Sequence, residues 1–463
     1  MAELRVGATA ACVTPPIGVD LAGYSGRLSG SVGVHDDLYG KALVLDDGHT
    51  TLALLTVDLI QLDDAAVQQI RAKVAQQTDI PADHVLVSTS HTHSGPMPWI
   101  ADNPYGRFRA REWKADPDWT RTLQAQLAGT VSAAWHERRA ARLAVGGGEL
   151  EGLAYNRRRY IEGGMPTDPS VPVVLLVDEH DHPIAVLYSY ACHPVTLRES
   201  NLLISADYPG VASRLIQQTF PGVVALFANG CCGDQDPLHT FWGSFERTEH
   251  AGQMVAGEVI QVAARLLAHQ RFESDPTLAQ ATRQIPMPVM ALPDRAGAEE
   301  LVRTQERFLA EIRQRQSRQE GTLFPRNEPF HSMISERYPT EGLAEFYLNW
   351  AKHIQSLVAR ETPPPISYAE IQVMRIGPLV ITSLPGEIFV ELGFRIKTAL
   401  DGTPILVSSY TNGNVGYVPT RPAYAEGGYE VVTAQRARVL PIAPEAGEQM
   451  VETAIDLARS LLV

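Results

Sequence analysis

The segment "VSTSHTHSGP", residues 87–96, ends an apolar, strand-like run with His91 and His93 one residue apart. In extended backbone, residues i and i+2 share a face, so both imidazoles can address one point beyond the strand end. Imidazole is the commonest metal ligand and carries protons near neutral pH; a hydrogen-bonded histidine pair at a polar loop is the plainer alternative. Three further apolar runs end in ionisable groups. "YACHPVT" delivers His193 directly before Pro194, and the proline fixes where the strand stops. "NGCCGDQDP" carries Asp234 and Asp236 on a glycine-bordered loop, where an Asx-type turn would account for at least one of them. "LPGEIF" sets Glu387 just after a Pro-Gly turn. Any one of these is ordinary. Four strands with ionisable ends in one chain point to a shared site, because open α/β sheets bind and react at their strand ends. Two imidazoles and a carboxylate, from His91, His193 and Glu387, are a donor set that suits Zn2+.

The elements that must hold these groups are legible as patterns. "KALVLDD", "TLALLTVDLI" and "HVLVSTSH" read as buried strands, and "DAAVQQIRAKVAQQTD" between the last two has helical spacing of its apolar residues. After "ARLAVGGGEL" and a basic turn, "YNRRRY", come strands "VPVVLLVDE" and "HPIAVLYSYACHP", a helix in "DYPGVASRLIQQTF" and a strand in "GVVALFANGCCGDQDP". This βαβ-like rhythm predicts an α/β fold of mixed β-sheets layered with helices. Residues 295–320 form a charged, amphipathic helix pattern, "GLAEFYLNWAKHIQSLVAR" forms another, and Pro363 to Pro365 break the chain before strands "YAEIQVMRIG" and "LVITSLPGEIF". The chain therefore reads as one catalytic unit over residues 1–463, with a helical insertion at about 290–362 and a C-terminal portion, 366–463, that completes the metal site.

Composition bounds the partners. The chain has 463 residues, 44% hydrophobic and 20% charged, which is a globular balance. Its formal net charge is −14 with no lysine or arginine run, and this disfavours a nucleic-acid partner, whose phosphates need concentrated positive surface. No segment reaches the roughly 18 apolar residues of a membrane-spanning helix. The N-terminus lacks the basic and apolar regions of a signal peptide. The four cysteines, Cys12, Cys192, Cys231 and Cys232, have no CxxC spacing and fit free thiols in a reducing compartment, so a cytoplasmic location is expected.

"SHTHSGP", "CHPVT", "GCCGDQDP", "LPGE" and "GYVPTRPAYAEGGYE" stand in the order found in the neutral/alkaline ceramidase family, and the chain resembles that family's zinc-dependent catalytic domain. The openings "TPPIGVDLAGYSGR" and "GVHDDLYGKALVL" are also similar, so the resemblance runs from near residue 5 to about 435 and is weakest through the helical insertion. It implies that His91, His193, Glu387 and Tyr417 bind zinc, and that His93 is a non-ligand imidazole able to carry a proton. It also implies that Arg157 and Tyr429, the latter twelve residues after Tyr417, stand near the reacting carbonyl, where both would suit a developing oxyanion. A tyrosine ligand requires the cation to favour phenolate over a free pKa of about 10, or to accept a neutral oxygen. This sequence departs from the family at one telling position. The serine of the family's "GDxSP" is Asp236 here, so a serine acyl-enzyme is excluded at this loop and metal-activated water is the expected nucleophile. Asp236 is then expected either to hydrogen-bond a ligand histidine or to bind a polar substrate group.

Secreted members of the family also carry a signal peptide and a C-terminal immunoglobulin-like domain; neither is expected here, which makes a short, soluble amide at least as good a substrate as ceramide. The resulting expectation is a zinc-dependent hydrolase of N-acyl amide bonds acting on a small-molecule or lipid-like substrate. An esterase or lactonase on the same scaffold, or a non-catalytic zinc- or ligand-binding relative, are the alternatives, and a homo-oligomer is left open.

Overall fold

Eight strands form one sheet in a computed structural model of the chain, which describes residues 3–24, 27, 29–98, 116–158, 165–238, 243–269, 271–317, 341–361, 366–437 and 440–463. The sheet order is Val224–Asn229, Pro183–Tyr190, Ser170–Asp178, Arg139–Glu149, Arg5–Cys12, Tyr39–Asp46, Thr51–Val57 and Val85–Thr89. Neighbours are antiparallel except at the two edges. There Thr51–Val57 runs parallel to Val85–Thr89, and Pro183–Tyr190 parallel to Val224–Asn229. A parallel pair needs a crossover, supplied by helices Asp64–Gln77 and Asp207–Thr219 respectively. Each edge unit ends in a residue singled out for chemistry: one strand leads to His91, another to His193, a third to Asp234 and Asp236.

The period-2 alternation of these strands explains the layers. Leu43, Leu45, Leu52, Leu54 and Leu86 from one half of the sheet join Leu143, Val174, Leu176, Leu187 and Leu226 from the other in a single buried cluster. That cluster also takes in Met374, Ile376, Ile381 and Leu406 of a second sheet, formed by Leu278–Met287, Ser367–Ile376, Leu379–Ser383 and Ile405–Ser408. Residues of opposite parity face outward under helices. Ala42, Val44, Leu55 and Val87 pack with the helices Asp64–Gln77 and Pro117–His136. Val173, Leu175, Val186 and Phe227 pack with Asp207–Thr219 and Phe245–His269. The second sheet is covered by Val390–Ala399 and Ala446–Leu462. The two halves of the large sheet thus wrap a shared core, and the second sheet closes it. Both edges of the large sheet are brought to the same loop: Ser409 N donates to Asn229 O, and Asn412 N to Val87 O.

Helices Arg295–Ser317 and Glu341–Ala359 pack on one another through Val302, Trp350, Ala351 and Ile354. The second of them meets the 429–437 segment, where Tyr347 Oη lies 2.7 Å from Thr433 Oγ1. Residues 318–320 of the first helix pattern, and Pro363 to Pro365, lie outside the described residues. No helix among the described residues is long and apolar enough to cross a membrane.

Arg71 ties the two sheets together. Fully buried on helix Asp64–Gln77, it donates from Nε to Val85 O at 2.8 Å, from Nη1 to Glu370 Oε1 at 2.7 Å and from Nη2 to Gln372 Oε1 at 3.3 Å. Replacing it with methionine leaves a largely buried Glu370 carboxylate without its cation. Arg71→Met is expected to lower stability by about 3–5 kcal/mol, read as a fall in urea midpoint at unchanged slope. A midpoint within error of wild type would show that the pair contributes nothing.

Candidate active site

The strand Val85–Thr89 stops two residues before His91, and His91 itself adopts φ 68°, a left-handed conformation uncommon outside glycine. The pairing of His91 with His93 is therefore made by a turn rather than by the extended alternation expected from sequence. The outcome is nonetheless close approach: His93 Nε2 lies 3.2 Å from His91 Nε2. Tyr410, which also has positive φ, stacks on the His91 ring at 4.0 Å and holds it flat. His91 Nδ1 lies 2.7 Å from Ile60 O. On the opposite edge of the sheet, His193 directs both its backbone N, at 2.9 Å, and its Nδ1, at 3.1 Å, to Gln235 O. A carbonyl oxygen only accepts, so in both histidines Nδ1 carries the proton and the Nε2 lone pair faces inward.

Glu387 is what they face. It sits in a two-residue strand, Glu387–Ile388, parallel to Tyr417–Val418, so Glu387 and Tyr417 are backbone partners. Gly233 N donates to Ile388 O at 2.8 Å, and a Cβ on Gly233 would lie 2.4 Å from Glu387 O, so glycine is what lets this loop close on the carboxylate strand. Glu387 Oε2 is 3.4 Å from His91 Nε2 and 3.3 Å from His193 Nε2, and all three side chains are buried.

Two lone pairs pointed at a carboxylate oxygen repel unless a positive charge lies among them. With only these groups present, the charge is a proton. Burial opposes charge on His193, but Cys232 and Glu387 push its pKa up to about 10. For His91 burial prevails, aided by the neighbouring His193, and its pKa is lowered although Glu387 pulls the other way. One carboxylate thus supports one cationic imidazole and not two. Burial alone would raise Glu387; the two histidines instead hold it well below the ordinary carboxylate range.

The spacing also fits a metal. Tetrahedral bonds of about 2.0–2.1 Å put donor atoms about 3.3 Å apart, which the observed separations match. One nitrogen each from His91, His93 and His193 also lie within 4.8 Å of one another, so His93 stands close enough to share a cation. Its Nδ1 is buried with no hydrogen-bond partner, and burial and the two neighbouring histidines lower its pKa well below the usual value, leaving it neutral.

Arg157 closes another side of the cluster, its Nη2 donating to Gly233 O at 2.6 Å and its Nη1 to Asp236 Oδ1 at 3.2 Å. Its guanidinium lies 5.4 Å from the Tyr417 ring centre and 5.8 Å from that of Tyr429, and those two rings are 5.7 Å apart. Burial works against the charge of Arg157, but Tyr417, Asp236 and Glu430 raise its pKa well above the ordinary arginine value. Burial pushes the Tyr417 phenol up, and Arg157 offsets only part of that.

The family model described as "Neutral/alkaline non-lysosomal ceramidase, N-terminal" matches residues 4–244, just over half of the chain. The chain belongs to this family. The matched stretch contains His91, His93, Arg157, His193 and Asp236; Glu387, Tyr417 and Tyr429 lie beyond it. Neutral ceramidase A of Dictyostelium discoideum is 25% identical over 48% of this chain and 34% of its own length. Neutral ceramidase of Mycobacterium tuberculosis is 22% identical over 88% of this chain and 70% of its own. The chain therefore spans only about a third of the Dictyostelium relative. In fold, it matches the crystal structure of neutral ceramidase from Pseudomonas aeruginosa at TM-score 0.73 and 20% identity, covering 100% of this chain and 75% of that one. The mixed α/β architecture read from sequence is thus the architecture of solved neutral ceramidases.

Within this family frame, Asp236 does not hydrogen-bond His193. Its Oδ1 is 3.8 Å from His193 Nδ1, beyond hydrogen-bond reach, and that N–H goes to the Gln235 carbonyl. Asp236 pairs with Arg157 instead. Several groups at the site carry no signal in a spacing pattern. Arg27 donates from Nη1 to both Ala22 O and His93 O, fixing the His93 backbone. Gly23, at φ 92°, abuts the His93 ring so closely that a Cβ would lie 2.3 Å from it. Cys232 Sγ is 3.2 Å from Tyr410 Oη beside the ligand cluster. Arg158, which looks like part of a solvated basic turn in "YNRRRY", is fully buried; Arg159 lies outside the described residues.

Proposed function

We propose that the chain is a zinc-dependent hydrolase that cleaves N-acyl amide bonds with water. The observation that carries this reading is the convergence of His91 Nε2 and His193 Nε2 on Glu387 Oε2 at 3.4 and 3.3 Å, with both Nδ1 atoms committed to backbone carbonyls. His91, His193 and Glu387 would hold the ion, with Tyr417, the backbone partner of Glu387, as the fourth group. Zinc in such a set supplies a Lewis acid for the acyl carbonyl and makes water acidic enough to react near neutral pH.

The protein's own residues do the rest. His93 Nε2, 3.2 Å from His91 Nε2, accepts the proton released as water attacks and returns it to the departing amine nitrogen. Arg157, cationic throughout, and Tyr429, half-buried beside it, offer N–H and O–H donors to the oxygen on which charge develops. Asp236 offers no serine hydroxyl, and its carboxylate is engaged by Arg157, so it serves to orient that guanidinium.

Relatives named as neutral ceramidases set one end of the substrate range, and short soluble amides the other. The purified protein, tested on N-acyl amides from short chains to ceramide with matched esters alongside, is expected to hold one zinc per chain. It is expected to hydrolyse the amides, to lose that activity to a chelator and to regain it with Zn2+. Turnover of esters alone would move the reading to an esterase, and stoichiometric zinc without turnover of any acyl substrate would move it to a binding protein.

A further inference from the structure

Glu430, the last residue of "GYVPTRPAYAEGGYE", is fully buried, and its two oxygens serve two different arginines. Oε1 accepts from Arg157 Nε at 2.7 Å and Oε2 from Arg158 Nη1 at 3.0 Å. Arg158 Nη1 also donates to Gly427 O at 3.0 Å and its Nη2 to Glu426 Oε2 at 2.9 Å, and its guanidinium lies 5.5 Å from the Phe389 ring centre. Removing these charges from water is costly, and well-packed apolar groups would serve stability as well or better. What an ion network provides here that an apolar plug cannot is direction.

That matters for the segment that carries Tyr429. The chain leaves helix Arg421–Glu426 through Gly427 and Gly428, both at positive φ, 72° and 96°, where glycine permits many paths and specifies none. Tyr429 follows immediately. Tyr429 packs with Phe389, Tyr417 and Val431, and its segment is joined to the stretch at Arg157, more than 270 residues away in the chain, by Arg158 to Glu426 and Gly427 O and by Glu430 to both arginines; of these ties, the Arg157–Glu430 pair bears directly on Arg157. With Nε held by Glu430, Nη1 by Asp236 and Nη2 by Gly233 O, all three nitrogens of the guanidinium are fixed, its carbon 5.4 Å from the Tyr417 ring centre and 5.8 Å from that of Tyr429.

We propose that Glu430 is a positioning residue: its carboxylate orients Arg157 and, one residue along the chain, sets Tyr429 beside it, so that both donors face the same reacting oxygen. This rests on the amide-hydrolase reading, in which Arg157 and Tyr429 stabilise the oxyanion. His91, His193 and Glu387, three of the four groups proposed to hold the ion, are positioned by contacts that do not involve Glu430, so zinc is expected to be retained when the clamp is broken.

The test uses Glu430→Gln and the charge-balanced double variant Glu430→Gln/Arg158→Gln in the full chain. Glu430→Gln is expected to keep wild-type zinc content and a KM within about threefold, while kcat on the best amide substrate falls about 100-fold, the scale of a small misplacement of catalytic groups. The double variant removes the Arg158 cation together with the Glu430 anion and is expected to recover thermal stability without recovering kcat. In wild type the Arg157 Nε–H resonance is expected to exchange slowly with solvent, and in Glu430→Gln to exchange at least tenfold faster. A kcat within threefold of wild type in Glu430→Gln, or a kcat that returns together with Tm in the double variant, overturns the proposal. Should wild type show neither zinc nor amide turnover, the hydrolase reading fails by itself; the clamp is then read from Arg157 Nε–H exchange, and rates unchanged by Glu430→Gln overturn it.

Discussion

Glu387→Ala is expected to remove zinc and activity together: metal content below about a tenth of stoichiometric, and kcat/KM on an amide substrate reduced by about 10⁴-fold or more, several kcal/mol of transition-state stabilisation. The reason is geometric and electrostatic at once. Oε2 of Glu387 is the common neighbour of His91 Nε2 and His193 Nε2, and its charge is what draws a cation into this buried pocket. Glu387→Gln keeps the shape and removes the charge, and is expected to lose nearly as much metal. The local backbone is held independently, by Glu387 N to Gly416 O and Gly233 N to Ile388 O, so the fold should persist and circular dichroism should match wild type. Metal analysis beside kinetics checks this. Full zinc occupancy with intact turnover in Glu387→Ala would place the centre elsewhere and end the case for this site.

His93→Ala should separate chemistry from metal binding. Zinc content is expected to stay near wild type while kcat falls about 10²–10⁴-fold, the range for loss of a general acid–base group. The ring sits between Gly23 and Tyr24, the latter edge-on at 5.1 Å, so its removal leaves a slot shaped for an imidazole. Imidazole added to the buffer is expected to restore part of the activity of His93→Ala and none of that of Glu387→Ala. If His93→Ala instead loses its zinc, His93 is a third nitrogen ligand, as the mutual proximity of the three imidazoles permits, and the proton must be carried by another group.

Much of this was legible in the chain because it is written locally. Alternating apolar residues fix which runs become strands, and prolines and glycines fix where they stop, so "YACHPVT" and "LPGEIF" announced His193 and Glu387 at strand ends. Donor type is likewise a property of single residues: two imidazoles and a carboxylate are suited to zinc wherever they meet.

What the chain could not disclose is written between distant residues. That His91 leaves the strand in a left-handed turn depends on Ile60 and on Tyr410, more than 300 residues later. Tyr417 has no sequence pattern marking it as a ligand; its place beside Glu387 comes from a two-residue parallel pairing too short to predict. The sequence could not show that Asp236 pairs with Arg157, nor that Arg158 of the basic turn is buried on Glu430. Local sequence thus determined which groups exist and at which strand ends they stand. Tertiary structure decided which of them meet, because the two sheet edges reach one loop only when both halves of the sheet bury a shared core, and removal from water then forces each charge to find partners.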